Sequence, residues 1–419
     1  MVKEICKCRI CGNKNLVTIL NLGYQELTGV FPKPEETVEG GELQLVKCFG
    51  GAETCGLVQL KHSFESEKMY GDNYGYRSGL NISMVEHLDS IVKKIEKKMV
   101  LNDDDLIIDI GSNDGTLLSR YNNRNLDFLG MDPTGIKFAK YYPADVELYA
   151  DFFAADNVKK VRSNKKAKVV TSIAMFYDLE DPIKFAQDIS SVLADDGIWI
   201  LEQSYLPRMI DTVSYDTVCH EHIEFYCLKQ IDYIMKHSGL KVIDVEQNEI
   251  NGGSFQIMVA KENSILEIAD AVQELLEWES KNGYDELEVY ENFRTAIDVN
   301  KDEVRKFLDE AKENGKLVLG YGASTKGNVM LQYCEITSND LKAIADVNED
   351  KYGCVTPGTH ISIISEDEAR KMNPDYFLVL PWHFRNNILN KEKDYMKESG
   401  CKFCFAFPNM EIVAYEDLI

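Results

Sequence analysis

The residues best suited to chemistry lie in one polar segment, residues 215–226, where two histidines surround a carboxylate: His220, Glu221 and His222. Histidine titrates near neutral pH, so an imidazole here suits a general base. The segment follows Glu202, which we place at the carboxyl end of a strand, where α/β proteins collect functional side chains. Two other interpretations stay open. The His-x-His spacing also fits a metal pair, and both rings could belong to a solvated loop without function.

A glycine turn is the second chemical feature, and it needs a strand before it. The isoleucine-rich run 106–110 predicts a buried strand, and the turn follows at once with Gly111, Asn113, Asp114 and Gly115. The pattern from Thr116 predicts a helix. Asp132 ends the next strand, where a carboxylate can accept ribose hydroxyls. The run from Asp109, Asp-x-Gly-x-Asn-Asp-Gly, resembles motif I of the class I S-adenosylmethionine methyltransferases, which implies that cofactor. An ordinary strand-ending Gly-Asp turn is the alternative.

Two further strands carry residues suited to the rest of that cofactor. One strand ends at Asp151, Phe152 and Phe153. An acid beside aromatic rings fits adenine, because the carboxylate accepts from the amine and a ring stacks on the base. Ser172, on the following strand, is a further predicted contact. The alternation of strands and helices predicts a mostly parallel sheet.

Cysteines at the start of the chain predict a metal site. Of the eleven cysteines, we interpret four as one structural zinc site with no open position: Cys8, Cys11, Cys48 and Cys55. Cys6 is a spare that could replace Cys8. The alternative, cysteines merely buried in a small β module, does not explain why Cys11 and Cys55 are each followed by glycine.

Two segments near the predicted site are candidates for contact with a substrate. The tyrosine-rich stretch before the helix predicted over 82–98 contains Tyr74 and Tyr76, which either form a lid with phenols near the chemistry or only cover the cofactor domain. Residues 244–260 predict a β-hairpin. Its Asn-Gly-Gly-Ser turn offers bare backbone to a ligand through Asn251, Gly253 and Ser254.

The last part of the chain repeats the strand, glycine turn and helix. Residues 264–313 are charged and helical, and the run 316–327 then contains Gly320, Gly322 and Lys326. A lysine at a helix N-terminus suits a phosphate, so the predicted diphosphate ligands are Ser324, Lys326, His383 and Arg385. A degenerate second sheet that only packs is the alternative.

Composition bounds the rest. The 419 residues suggest two or three domains, which we place at 1–70 (zinc module), 71–262 (methyltransferase core) and 263–419 (helical connection and last domain). The fold class is α/β, with two Rossmann-like sheets and a small zinc-binding β module. The net charge of −24 argues against a nucleic-acid polymer or an anionic membrane as partner, and no apolar run is long enough to span a bilayer. We expect a soluble cytoplasmic protein. The oligomeric state stays open, with a monomer as one option.

Taken in order, these segments resemble the sugar C-methyltransferase family of deoxysugar biosynthesis, which acts on nucleotide-linked 4-keto hexoses. The zinc module, the Asp109 loop, the Glu-His pair, the Gly-Gly-Ser hairpin and the Gly-Tyr-Gly-Ala loop carry the resemblance. It implies that His222 removes the proton on C3, with Glu221 as its neighbour in the catalytic segment, and that the enolate takes the methyl group.

The chain departs from the family at two places. Cys219 stands where the family has a tyrosine, and Phe176 followed by Tyr177 stands where it has a histidine. Tyr76 and Tyr177 are candidate replacements for these polar roles. The departures leave the sugar and the methylated atom open. O-methylation of a sugar hydroxyl is one alternative, and a non-catalytic zinc- and nucleotide-binding protein is another.

Overall fold

The computed structural model describes residues 2–51, 54–64 and 77–419. The amino-terminal module is built from short antiparallel strands: β1 (Lys3–Glu4), β2 (Leu16–Glu26), β3 (Gly40–Cys48), β4 (Val58–Leu60) and β5 (His62–Ser63). Strand β3 pairs with β2 on one side and β4 on the other, and β1 pairs with β5. The four predicted zinc ligands lie in the loops and strand ends of this module.

The middle of the chain alternates strands and helices: α1 (Ile82–Lys98), β6 (Leu106–Ile110), β7 (Asp127–Met131), α2 (Gly135–Phe138), β8 (Val146–Tyr149), α3 (Ala155–Arg162), β9 (Ala167–Ile173), α4 (Pro182–Val192), β10 (Leu193–Ser204), α5 (Leu206–Asp211), β11 (Glu224–Phe225), α6 (Leu228–Lys236), β12 (Leu240–Asn248) and β13 (Ser254–Lys261). The strands predicted over 106–110 and across the 244–260 hairpin are confirmed.

Within the described residues, seven strands form one sheet in the order β12-β13-β10-β9-β6-β7-β8. Strands β8, β7, β6, β9 and β10 are parallel, whereas β13 runs antiparallel to both neighbours. Every residue of β6 is buried, as a sheet with both faces covered requires. The chain order reverses between β6 and β9, which opens a crevice at the carboxyl ends of these strands.

The helix after the first glycine turn is where the sequence prediction fails. Only a short 3-10 turn, Leu118–Arg120, follows Thr116. Asparagine has low helix propensity, and the polar run from Asn122 ends the helical pattern before it can extend. By contrast, α1 forms as predicted, because Met84, Leu88 and Ile95 share its buried face.

Strand β11 links the core to the zinc module. It pairs with β4, so four strands form a sheet in the order β11-β4-β3-β2 within the described part of the chain. The amide of Leu60 also donates to the carbonyl of Ile223 at 2.8 Å. The loop that carries His222 is therefore anchored on the amino-terminal module, and also on the core, where the Ile223 amide donates to the carbonyl of Tyr177 at 3.1 Å.

The carboxyl-terminal part begins with two helices and continues as a second α/β unit: α7 (Asp270–Lys281), α8 (Glu288–Glu313), β14 (Val318–Tyr321), α9 (Thr325–Tyr333), β15 (Ile344–Asp346), β16 (Ile363–Ser365), α10 (Glu366–Lys371), β17 (Tyr376–Val379), α11 (Arg385–Ser399), β18 (Lys402–Phe405) and β19 (Glu411–Val413). The strand order is β16-β15-β14-β17-β18-β19, parallel except for β19. The prediction of two Rossmann-like sheets is confirmed.

The outer parts of the chain share one hydrophobic core. Leu20 and Leu43 of the amino-terminal sheet belong to the same buried cluster as Phe293 and Ile297 of α8 and Val329 of α9. Among the described residues, none of the helices combines the length and apolar character needed to cross a bilayer.

Candidate active site

A cavity of about 420 Å³ occupies the crevice of the first sheet, a size that suits small-molecule ligands. Its walls come from several parts of the chain. The end of β6 and the turn after it contribute 109–113, and the ends of β7 and β9 contribute 131–134 and 173–175. Helix α1, the aromatic pair after β8, the end of β10, the histidine loop and the contact between Asn251 and Lys326 supply most of the rest. Residues far apart in sequence thus meet around one space.

The first glycine turn shapes one end of this cavity. Gly111 has φ +69°, and a Cβ there would lie 3.3 Å from the Cγ of Met175, so glycine lets that side chain approach. Asn113 lines the cavity, and its Oδ1 accepts from the amide of Ser78 at 2.9 Å. Asp114 lies outside the wall and accepts from the amide of Gly79 at 3.0 Å. These two side chains hold the segment before α1.

Two buried carboxylates flank the turn. Asp132 accepts from the amide of Asn113 at 2.8 Å through Oδ2 and from the amide of Thr134 at 2.7 Å through Oδ1. Oδ2 keeps acceptor capacity for another donor. Asp109 accepts from the hydroxyl of Thr171 at 2.6 Å. Burial, reinforced by the charge of Asp132, raises the pKa of Asp109 to about 7.

The remaining predicted cofactor residues divide between the cavity and the surrounding structure. Phe152 and Phe153 line the cavity, and the ring of Phe153 lies 5.0 Å from that of Phe185. Asp151 is exposed beside them. Ser172 is buried and accepts from the indole of Trp199. Gly115 has φ +73° and packs against the ring of Tyr142. The structure does not bring these last three into the described wall.

His222 lines the cavity and has a defined tautomer. Its Nδ1 lies 2.9 Å from the carbonyl of Thr217. A carbonyl only accepts, so Nδ1 carries the hydrogen and Nε2 keeps its lone pair. The ring of Tyr177, also in the wall, meets the imidazole edge-on at 4.4 Å. Burial and the nearby charge of Lys326 lower the pKa of His222 to about 3, so the ring is neutral at physiological pH.

The neighbours of His222 point in different directions. Glu221 and Cys219 line the cavity, and burial raises the pKa of Glu221. His220 faces the amino-terminal module instead, where its Nδ1 lies 3.4 Å from the hydroxyl of Thr28 and its ring meets Phe64 edge-on at 4.6 Å. The structure therefore does not bring His220 to the cavity with the other two.

The positions where the chain departs from its family can now be placed. Phe176 is buried in the core against Trp199 and Tyr226. Tyr177 is thus the member of the Phe-Tyr pair that reaches the cavity. Tyr74 and Tyr76 lie outside the described residues.

The predicted substrate residues do not form one group. Asn251 and Lys326 line the cavity and contact each other, because the Lys326 ammonium donates to the Asn251 carbonyl at 2.9 Å. The other five make different contacts. Gly253 packs on Arg208, Ser254 donates to Ile250, Ser324 caps α9 by accepting from Gly327, Arg385 pairs with Glu411, and His383 lies beside the Gly252 turn.

Sequence reasoning missed the role of helix α1. Met84 and Leu88 line the cavity, and His87 between them bonds Glu202 at 2.6 Å. Glu202 lies in the wall and also accepts from Asn248 and Gln256. The amphipathic pattern of α1 gave the signal for a buried face, but a buried face on a core and one on a cavity have the same sequence pattern.

The amino-terminal cysteines form a compact cluster. The sulfurs of Cys8, Cys11, Cys48 and Cys55 all lie within 4.8 Å of one another. A tetrahedral zinc ion with bonds of about 2.3 Å requires sulfurs about 3.8 Å apart, so this donor set fits a structural zinc. Cys6 is exposed and outside the cluster.

Comparisons with known proteins agree with this architecture. Three family models match consecutive parts of the chain. One is described as "Putative zinc binding domain" (residues 8–70), one as "Methyltransferase domain" (84–245) and one as "C-methyltransferase C-terminal domain" (249–408). The chain is 27% identical to C-methyltransferase NovU of Streptomyces niveus over 424 residues, which covers 100% of this chain and 99% of the relative.

Solved structures give weaker likenesses. An O-methyltransferase family protein from Burkholderia thailandensis matches with 16% identity and a TM-score of 0.35. The match covers 48% of this chain and 64% of the Burkholderia chain. An S-adenosylmethionine-dependent methyltransferase from Clostridium acetobutylicum matches with 14% identity and a TM-score of 0.31, covering 42% and 90%.

The family models and the full-length relative confirm the resemblance, the enzyme class and both cofactors predicted from the sequence. The non-catalytic alternative is therefore set aside. The matches identify an S-adenosylmethionine-dependent C-methyltransferase whose chain is similar, in order, to a zinc-binding domain, a methyltransferase domain and a C-methyltransferase C-terminal domain.

Proposed function

We propose that this enzyme methylates the carbon next to the ketone of a nucleotide-linked 4-keto sugar, and that His222 is the base. The observation that carries the proposal is the position of His222. Its imidazole, with an unprotonated Nε2, lines the same cavity as the first glycine turn. A base and a methyl donor must face one acceptor from two sides for this transfer.

The cofactor residues proposed for this site are those at the turn. Asp132 retains acceptor capacity for a ribose hydroxyl, Gly111 permits close backbone approach, and Phe152 and Phe153 offer rings to the adenine. S-adenosylmethionine supplies the methyl group. The protein holds it, holds the sugar opposite, and removes one proton.

A ketone in the substrate lets a base act at carbon. A carbonyl acidifies the hydrogen on the adjacent carbon, so removal of that proton gives an enolate whose carbon is the nucleophile. His222 is neutral in the cavity and accepts the proton at Nε2, while the Thr217 carbonyl fixes the ring. Full-length similarity to NovU supports a carbon acceptor. The sugar and the nucleotide are the proposed part.

The first test replaces the base. In His222→Ala we expect kcat to fall by about 10³-fold, the usual contribution of a general base, while calorimetric binding of S-adenosylhomocysteine is unchanged. The substrates are 4-keto hexoses linked to uridine, guanosine or thymidine diphosphate. His237→Ala, which removes an exposed histidine, is the matched control. Full turnover by His222→Ala would remove the proposed base.

Heavy water separates carbon from oxygen methylation. With S-adenosylhomocysteine bound, the wild-type enzyme should exchange the C3 hydrogen of the keto sugar for deuterium, because enolisation precedes methyl transfer. A hydroxyl acceptor requires no such exchange. Methylation without exchange, and with the methyl group on oxygen by NMR, would contradict the proposal.

A further inference from the structure

Lys326 is unusual among the residues around the cavity. The described wall contains five carboxylic acids, at Asp109, Asp132, Asp178, Glu202 and Glu221, and Lys326 is its one lysine or arginine. This side chain comes from the second α/β unit, whereas the acids all belong to the first. A single positive charge is therefore delivered into an acidic cavity by a different part of the chain.

The position of Lys326 is costly for a cation. It lies in the first turn of α9, where the helix dipole disfavours positive charge. Burial lowers its pKa, and Asp216 opposes that change. In the described structure the ammonium has one hydrogen-bond partner, the carbonyl of Asn251 at 2.9 Å. A lysine ammonium has three N–H donors, so two remain for a ligand.

The surroundings of Lys326 match one negative charge better than a diphosphate. Ser324 caps α9, and Arg385 is paired with Glu411, so two of the predicted diphosphate ligands are engaged elsewhere. The described wall supplies one basic side chain of the lysine or arginine type, whereas a diphosphate carries two or more negative charges. One ammonium can offset the single charge that forms on a carbonyl oxygen when the adjacent proton leaves.

Lys326 also acts on the proposed base. Its charge is among the causes that lower the pKa of His222, and it influences His383 in the same way. A cation that weakens the base opposes proton removal unless it stabilises the product of that removal more strongly. An electrophile placed at the developing oxyanion does this.

We propose that Lys326 donates a hydrogen bond to the ketone oxygen of the substrate and stabilises the enolate that His222 generates. The inference rests on the proposed function and adds a catalytic residue from the second unit. In the step, the C3–H bond breaks and its proton moves to Nε2 of His222. The electron pair forms the carbon–carbon double bond, and the carbonyl electrons move to oxygen, which Lys326 holds. Lys326 remains protonated throughout.

The test uses full-length Lys326→Gln and Lys326→Arg. Glutamine keeps a donor for the Asn251 carbonyl but loses the charge, and arginine keeps the charge. Each is assayed for deuterium exchange at C3 of the keto sugar, for calorimetric binding of the matching nucleoside diphosphate alone, and for binding of S-adenosylhomocysteine. Lys316→Gln, which removes an exposed lysine paired with Asp375, is the control.

We expect Lys326→Gln to slow exchange by about 10²-fold or more, as loss of an oxyanion donor does, with nucleoside diphosphate binding changed less than about threefold. Lys326→Arg should retain more exchange than Lys326→Gln. A variant that binds the nucleoside diphosphate at least tenfold more weakly, yet exchanges at the wild-type rate when saturated, would assign Lys326 to the diphosphate and overturn the inference while leaving the proposed function intact. Absence of exchange and methylation in the wild-type enzyme would overturn both.

Discussion

The two glycine turns of this chain are built alike and differ in what they face. In the first, Asp132 at the end of β7 accepts from the turn amide of Asn113 and from the amide of Thr134. In the second, Asp346 at the end of β15 accepts from the turn amide of Ala323 at 2.8 Å and from the amide of Asn348 at 2.7 Å. In each sheet an equivalent aspartate thus joins the glycine turn to the segment that follows the neighbouring strand.

The two carboxylates differ because Asp346 pairs with Lys351. Its ammonium lies 3.5 Å from Asp346, donates to the carbonyl of Ala323 at 2.7 Å and sits over the ring of Phe31. The second carboxylate is thus neutralised within the protein, and Phe31 from the amino-terminal module packs on its partner. The first carboxylate lines the cavity and keeps acceptor capacity. The first turn opens on the cavity, whereas the helix after the second turn places Lys326 in the wall of that same cavity.

The largest effect should come from the zinc cluster, which supports the loop facing the first turn. Cys48→Ser should lose zinc and lower the free energy of unfolding by several kcal/mol, because structural zinc contributes directly to folding. Because β4 anchors the strand after His222, the rate of methyl transfer should fall more than the affinity for S-adenosylhomocysteine. Zinc content, thermal unfolding and calorimetry check this. Cys6→Ser should match the wild type, and equal zinc content in both variants would contradict the assignment.

A buried acid distinguishes the strands that precede the turns, since Asp109 corresponds to Gly320 in the second. Its pKa is raised to about 7 in the folded chain, against about 3.9 when unfolded. The folded state therefore holds this proton more tightly, and the contribution of Asp109 to stability falls as pH rises from about 4 to 7. Over that pH range, the free energy of unfolding of Asp109→Asn should rise relative to that of the wild type by a few kcal/mol. Chemical denaturation measures both values. Parallel pH profiles would show that Asp109 is ionised throughout.

The smallest expected effect is on cofactor affinity, and it is tested by removing Asp132 and Asp346 in turn. Asp132→Ala should weaken S-adenosylhomocysteine binding by about 10- to 100-fold, the value of a hydrogen bond to a charged group. Asp346→Ala removes an equivalent carboxylate from its own turn and should leave that affinity within about twofold. Calorimetry on both variants measures the difference. Equal losses would mean that the second turn also contacts the cofactor or shapes its site.

Much of this molecule follows from local sequence patterns. The isoleucine run of β6 and the amphipathic spacing of α1 report strand and helix because burial requires those periodicities. The cysteine spacing indicated the zinc cluster, since thiolates on tight turns suit a tetrahedral ion. The helix expected from Thr116 failed because a short asparagine-rich continuation has too little propensity to extend one turn.

Direction and partnership of side chains were decided only by tertiary structure. The sequence places His220 and His222 two residues apart, yet one meets Thr28 and the other lines the cavity. It gives Asp132 and Asp346 the same context, yet Lys351 pairs with only one of them. The position of Lys326 at a helix N-terminus predicts a phosphate ligand. Only the packing of the second unit on Asn251 brings this lysine near His222. Residue types set which chemistry is available, whereas long-range packing sets which groups share a space, because the contacts that fix it join distant parts of the chain.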